Sequence, residues 1–594
     1  MKTISKNIIV VSRWMLAVGA AVLLAGCSMD LAPEDKLTEE TFFTSAMELQ
    51  QFSNSFYRLM PTGETMYEEQ GEHFVSFTPS REVLGTRIVS ANDDNWSWSA
   101  LRDINFFLAH TNQCKDEEVR HRYEAVGYFF RAYFYFQKLQ YFGEVPWYNK
   151  VLNSDDKQML AKPRDSRDLV VDSILSDLDK AYMYLPRTHT PYEVNAWTAL
   201  ALRSRVCTFE GTFRKYHDGD VFNPNHLPWQ ELLEEGAKAS LTLMQEGGYS
   251  LYDKGEQPYR QLFASVDANP DEYIWARRFS VDLDIKNNAN AWSVARATGF
   301  TRRFVNLYLN SDGTRFTDKA GYETMQYLEE CENRDPRLSQ TIQTPGYIQY
   351  GAEKSTPVNL KMTFTGYKYI KFVMEAKYNT WGSSVVCLPI FRYAEVLLNY
   401  AECKAEAGTL TQNDLDISVN LIRDRVHMPH IDMAWSNANP DAYMESAETG
   451  YPNVDKGANK GVILEIRRER LIETPLEGLH YWDIMRWKEG KTFEKPLYGM
   501  YFPGEGKYDL TGDGKPNVQI ATEKKSGGIG VTNLVIGEDI VLSEGTKGYM
   551  WAHSGLEFNW DEGRDYLYPI PTEDRVLTNG SLTQNPGWRD GLNY

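Results

Sequence analysis

Marks of catalysis are scarce in this chain. Its 594 residues contain no GxxxxGK(S/T), no GxSxG and no HExxH. That removes the usual signatures of P-loop hydrolysis, α/β-hydrolase acyl transfer and zinc proteolysis. Cysteines number only six and none falls in a CxxC pair, so neither a zinc knuckle nor a thioredoxin-like redox site is indicated. If Cys27 is modified, an odd number remains, and the others read as small buried hydrophobes. Basic charge is in deficit. Lys and Arg total 63 against 82 Asp and Glu, a net charge of -19. A nucleic-acid partner needs a basic footprint and is not expected. Beyond the N-terminus no apolar run is long enough to span a bilayer.

What is present begins with an address. Lys2, Lys6 and Arg13 precede an apolar run at residues 14–24, which ends in Leu24-Ala25-Gly26-Cys27. Residues 1–26 read as a signal peptide. The apolar-small-small-Cys order resembles the bacterial lipobox, which implies cleavage before Cys27 and acylation of that residue. Several acyl chains, at about 0.8 kcal/mol per buried methylene, make a durable anchor. Residues 27–40 then read as a lipidated tether.

The length exceeds what one compact core holds, so two lobes or a scaffold with large insertions is expected. Residues 41–250 form the first region. Residues 41–59 place Phe42, Phe43, Leu49, Phe52 and Phe56 on one helical side. Residues 117–142 predict a long helix in which Ala125, Phe129, Ala132 and Phe136 alternate small and large. That pattern lets a second helix lie close, as in tetratricopeptide pairs. Residues 164–186, 195–213 and 229–247 continue the helical pairing with an irregular repeat length.

Residues 251–594 form the second region. Residues 273–279 read as a strand or short helix, 286–299 as a polar loop around Trp292, and 366–373 as strand-like alternation. Residues 392–408 predict a helix with Val396, Tyr400, Cys403 and Ala407 on one face and Gly408 as its cap. Residues 414–426 are its partner, 429–460 a Pro/Asn/Gly-rich insertion and 491–565 loops with short strands.

Residues 467–490, RRERLIETPLEGLHYWDIMRWKEG, anchor the chain. Pro475 stops a first helix and Gly478 turns the chain into a second. Arg470, Glu477, Asp483 and Arg486 sit among Tyr481, Trp482 and Trp487. Charges beside large aromatics survive burial when paired, so the stretch reads as a clamp on a helical scaffold. The alternative is a solvated charged helix.

This stretch resembles the signature of the SusD/RagB family, the surface glycan-binding lipoproteins of Bacteroidetes. Glu469, Arg470, Glu473, Glu477, Gly478, Asp483, Arg486 and Trp487 match its ERR-x-EL-x-x-EG-x-R-x-x-D-x-x-RW pattern at the same spacing. The chain departs at Leu471 and His480, where the family usually has Arg, and at Thr474, where it usually has Leu. Further matches are Glu124, Ala125, Arg131, Ala132, Leu139, Phe142, Gly143, Val145 and Pro146; the Asp335-Pro336-Arg337 tripeptide; Asn420, Arg423 and Arg425; and a closing PIP…QNPGW pattern from Pro569 to Trp588. The resemblance implies a mostly α, tetratricopeptide-like scaffold with large irregular loop and short-strand insertions. It implies an outer-membrane, surface-exposed protein that captures oligosaccharide and passes it, without catalysis, to a SusC-like TonB-dependent transporter.

A glycan site needs flat apolar faces and planar polar groups. Asn95, Trp96 and Trp98, with Arg81 nearby, form the densest such cluster, and Trp292 and Trp381 lie in other polar segments. Core packing is the competing reading for each tryptophan, most of all for Trp98, which begins a helix. Asp509 and Asp513 open a segment resembling a calcium loop. Position twelve is Ile520 rather than a carboxylate, so a turn without metal is the preferred reading and no cofactor is expected. His427 and His430 flank Met428-Pro429, which spoils a helical metal pair. The alternatives that stay open are a secreted glycoside hydrolase, whose paired carboxylates no motif marks, and a protein- or peptide-binding helical-repeat adaptor.

Overall fold

The computed structural model describes residues 42–62, 71–153, 155–525 and 527–592. The signal segment, Cys27 and the tether lie outside them. Helix accounts for 42% of the described residues and strand for 10%, which makes the fold mostly α.

The first region opens with α1 (Ala46–Ser53), started by a reciprocal capping box between Ser45 and Glu48. The short β1 (Phe74–Val75) follows. Five helices then pack in sequence: α2 (Ser99–His110), α3 (Glu117–Phe142), α4 (Arg167–Tyr184), α5 (Ala196–Tyr216) and α6 (Gln230–Glu246), each against the next. The local signals are strong. Asp116, Ser166 and Asn195 each accept a first-turn amide at the start of α3, α4 and α5. Gly143, in the positive-φ region, ends α3.

In the second region β2 (Tyr273–Arg277) pairs antiparallel with β4 (Leu388–Arg392). Between them lie α7 (Ala289–Ala295) and β3 (Gly299–Phe300), and β3 pairs antiparallel with β1. The helix α8 (Tyr393–Glu406) lies against α5 and α6 and extends the stack. The approach is close at Gly236, where an added Cβ would stand 2.9 Å from Cys403 Sγ. Next come α9 (Val419–Arg425), α10 (Lys460–Glu473) against α8, and α11 (His480–Trp487) against α5. Of the remaining strands, β5 (Leu497–Phe502) pairs with β9 (Gly548–Ala552). A three-stranded sheet holds β6 (Gly506–Tyr508), β7 (Val518–Ala521) and β8 (Thr532–Val535).

One hydrophobic cluster runs from Phe43 to Leu582 and draws on both regions. Trp275 of β2 shows why: its ring meets Phe129 and Tyr133 of α3 and Phe391 of β4, with centroids 5.5, 5.6 and 5.8 Å away. The five cysteines among the described residues are free thiols, four of them buried. Among those residues no helix is long and apolar enough to cross a membrane.

Three local expectations are corrected. Residues 286–299 are not a polar loop throughout; they contain α7, with Trp292 buried on it. Residues 366–373 form only isolated bridges, Phe300 to Tyr367 and Ile342 to Tyr369. The alternation misled because Lys368 and Lys371, its polar positions, are buried, and Phe372 has φ of 66°. Residues 414–426 are two short helices, Gln412–Asp416 and α9, broken at Ser418.

Candidate functional site

The signature residues are buried and paired. Arg470 Nε donates to Asp483 Oδ2 at 2.7 Å and its Nη1 to Asn399 Oδ1 at 2.8 Å. Arg486 grips Glu402 of α8 with both terminal nitrogens, at 2.5 and 2.8 Å. It also donates to Asp483 at 2.9 Å and to Thr212 of α5 at 3.0 Å. Trp487 Nε1 completes Glu402 at 2.8 Å. Burial alone would raise the Glu402 carboxyl, but Arg486, Arg470 and Trp487 together hold it down to about 2. Farther along, Glu477 accepts from Arg392 at 2.7 Å and from Lys371 at 2.6 Å. Burial pushes the Lys371 ammonium down to about 8, against the pull of Glu477. Motifs distant in sequence converge on α10. Glu469 meets Arg337 at 2.9 Å and Arg423 at 2.7 Å; Glu473 meets Arg392 at 2.8 Å and Arg425 at 2.6 Å. These contacts tie α5, α8, α9, α10 and α11 together. A solvated helix is incompatible with that burial.

The predicted glycan residues separate into two groups. Trp96 is only 4% exposed, and its ring meets Phe142 at 4.7 Å and Trp98 at 5.3 Å. Trp98 is half-buried, with Tyr148 5.8 Å away. Both line a cavity of about 730 Å³ with Arg102, Asn105 and Tyr148. Asn95 is exposed, and its carbonyl accepts from Lys138 Nζ. Arg81 is exposed at the start of the short helix Arg81–Leu84. The flat faces of Trp96 are therefore covered, and its fit to the role expected of it is poor.

The second group is open. Trp381 is 50% exposed and stands 6.4 Å from Trp292, at an interplanar angle of 71°. Trp292 is 5% exposed and forms the floor. The Arg296 guanidinium lies 4.4 Å from the Trp292 ring, 5.2 Å from Trp381 and 5.8 Å from Phe77. Phe77 is 53% exposed and packs 6.3 Å from Phe364. Register explains the gathering. The pairing of Phe74 with Phe300 and of Val75 with Gly299 brings the chain after β1 beside the chain before β3. Beneath, Lys368 Nζ donates to the Arg296 carbonyl and to Met362 O, and burial pushes its ammonium down to about 7. Sequence reasoning missed Phe77 and Arg296. The available signal was a lone aromatic in a Ser/Thr/Pro loop, which means little until β3 is placed beside it. The platform offers two exposed aromatic side chains and a planar cation, a set suited to stacking on a sugar and holding its hydroxyls.

The Asp509 carboxylate is turned into its own loop. Its oxygens accept amides of Thr511 at 2.8 Å, Gly512 at 2.9 Å and Gly514 at 2.7 Å, and Asp513 accepts from Lys515 N at 2.9 Å. This is turn chemistry.

A helical-repeat scaffold carrying short-strand insertions and an aromatic platform has relatives. The sequence profile of the SusD family matches residues 263–588. A second profile, described as starch-binding and associating with the outer membrane, matches residues 33–207. The chain belongs to the SusD family, a family of carbohydrate binders. It is 22% identical to SusD-like protein P2 of Formosa agariphila, over 95% of this chain and 97% of that one. Among solved structures it superposes on a SusD-like protein of Bacteroides fragilis with a TM-score of 0.67 and 21% identity, covering 94% of this chain and all of that one. A SusD-like carbohydrate binding protein, also from Bacteroides fragilis, gives 0.65 and 21%, covering 90% of this chain and 99% of that one.

Proposed function

We propose that this protein is a lipid-anchored, cell-surface receptor for glycan. It captures oligosaccharide at the Trp381–Phe77–Arg296 platform and passes it to a SusC-like TonB-dependent transporter in the outer membrane, with no covalent chemistry. Membership of the SusD family supports the class. The carrying observation is the exposure of Trp381 and Phe77 around Arg296, with Trp292 as floor. Stacking on these faces needs no titrating group at the sugar, so capture rather than hydrolysis is the reading. Cys27 supplies the anchor, and the net negative surface accepts neutral sugar.

The magnitude at stake is modest and measurable. One ring face is about a third of the roughly 150–250 Å² an aromatic side chain buries. At about 25 cal/mol per Å² it contributes about 1.3–2.1 kcal/mol, about eight- to thirty-fivefold in affinity. Trp381→Ala is expected to lose that much in affinity electrophoresis against a polysaccharide the wild type retains, with its thermal melt unchanged. Wild-type retention by the variant refutes the platform. New reducing ends from the purified wild type would refute the absence of catalysis.

A further inference from the structure

The cavity at the start of α2 lies apart from the platform, and the two share no residue. Its volume of about 730 Å³ falls inside the range of about 300–1,000 Å³ usual for small-molecule sites. Three stretches far apart in sequence wall it: the first turns of α2, residues 146–153, and the short helix Thr572–Leu577 with Leu582. These walls are held from behind. The buried Asn105 of α2 donates to the carbonyls of Tyr148, at 3.0 Å, and Lys150, at 3.3 Å, and accepts from Arg131 at 3.1 Å. Tyr135 Oη accepts the Tyr148 amide at 2.6 Å. On the C-terminal wall, Thr572 N donates to Ser90 O at 3.0 Å. Leu101, Pro146 and Leu582 are buried and form an apolar floor.

Trp98 and Tyr148 are half-buried where they line the cavity, and their ring centroids stand 5.8 Å apart. Around them are Arg102 and Lys150, both exposed, and the half-buried Asp574. No other side chain among the described residues pairs with any of these three. Burial raises the Asp574 carboxyl, and Glu573 beside it adds to the rise. Folding thus leaves two cationic donors and one acceptor unspent on the rim of an aromatic-walled cavity. We propose that this cavity is a second carbohydrate site, in which Trp98 and Tyr148 pack on a sugar ring while Arg102, Lys150 and Asp574 hold its hydroxyls. A hydroxyl both donates and accepts, so it satisfies the cations and the carboxylate together. An anionic ligand meets Asp574 and a cationic one meets Arg102 and Lys150, and each like-charge contact costs affinity. An apolar ligand covers the polar groups without pairing them and bears their desolvation. The ligand class rests on the carbohydrate-capture reading; the site itself uses nothing at the platform.

The test uses the full chain with fluorotryptophan in place of tryptophan and reads individual rings by fluorine NMR. Trp98→Phe and Trp381→Phe assign the two resonances that matter. The probes are maltohexaose, xylohexaose, cellohexaose and laminarihexaose at millimolar concentration, one at a time. The Trp98 resonance is expected to move saturably with at least one of them, and to do so still in Trp381→Ala. Arg102→Ala/Asp574→Ala should weaken that response by about tenfold or more, the size of lost charged hydrogen bonds, with the melt and the Trp381 response unchanged. If that variant does not fold, Lys150→Ala, at an exposed position, takes its place and should also weaken the Trp98 response. A Trp98 resonance that no probe moves overturns the site. So does one that stops responding in Trp381→Ala, or that responds as fully in the rim variant as in wild type. A response at Trp98 without one at Trp381 refutes the platform and leaves this site standing.

Discussion

Removing Arg486 tests whether the signature clamp holds the scaffold together. Arg486 is 2% exposed and contacts Glu402, Asp483 and Thr212. In Arg486→Met the stem stays packed and the charge is lost. Glu402 then keeps only Trp487 Nε1 at 2.8 Å and Arg470 at 3.9 Å. Breaking one side of a buried pair costs about 3–5 kcal/mol, mostly through the charge left behind. A second route gives the same order. The Glu402 carboxyl is held at about 2 against an ordinary 4.5, worth about 3 kcal/mol of pairing. Because its folded value is depressed, this contribution is present above pH 4.5 and is lost as pH falls toward 2. The gap between wild type and variant should therefore be widest at neutral pH and narrow by pH 3. Urea unfolding followed by circular dichroism at both pH values reads it. Replacing Glu402 as well, in Arg486→Met/Glu402→Met, should recover part of the loss by removing the stranded charge. A single variant within about 1 kcal/mol of wild type at pH 7, or a gap unchanged at pH 3, refutes the clamp.

Other outcomes follow from particular contacts. Trp96→Ala should destabilise by about 3–5 kcal/mol, since it empties a site against Phe142 and Trp98; an unchanged melt with weakened glycan retention would reverse the assignment of its ring to the core. Gly85→Ala should lower the melt. Gly85 has φ of +65°, and an added Cβ would stand 1.5 Å from the Asn559 carbonyl oxygen, so a melt equal to wild type would contradict that contact. Glu489 is raised by burial to about 8, so its protonated form is favoured by folding, and stability falls as pH rises from about 4.5 through 8. Glu489→Gln should therefore gain on wild type between pH 5 and pH 8, measured by urea unfolding; a pH-independent difference refutes it.

The helical pairs were readable because their causes are local. The 3.6-residue apolar period, the Asp116, Ser166 and Asn195 caps and the glycine after α3 all lie within a few residues of what they control. Trp292 and Trp381 could be nominated as aromatics in polar surroundings. Their neighbours could not, because Phe77 and Arg296 meet only through the pairing of β1 with β3.

The sequence by itself determined the helical repeat, the acidic surface and the family signature, each a property of short windows or of totals. Only the tertiary structure decided which charges became partners, which tryptophan faces were covered, and that Trp98, Arg102, Tyr148 and Asp574 line one cavity. Periodicity reports which face of an element turns inward. It carries no information about what another element, hundreds of residues away, brings to meet that face.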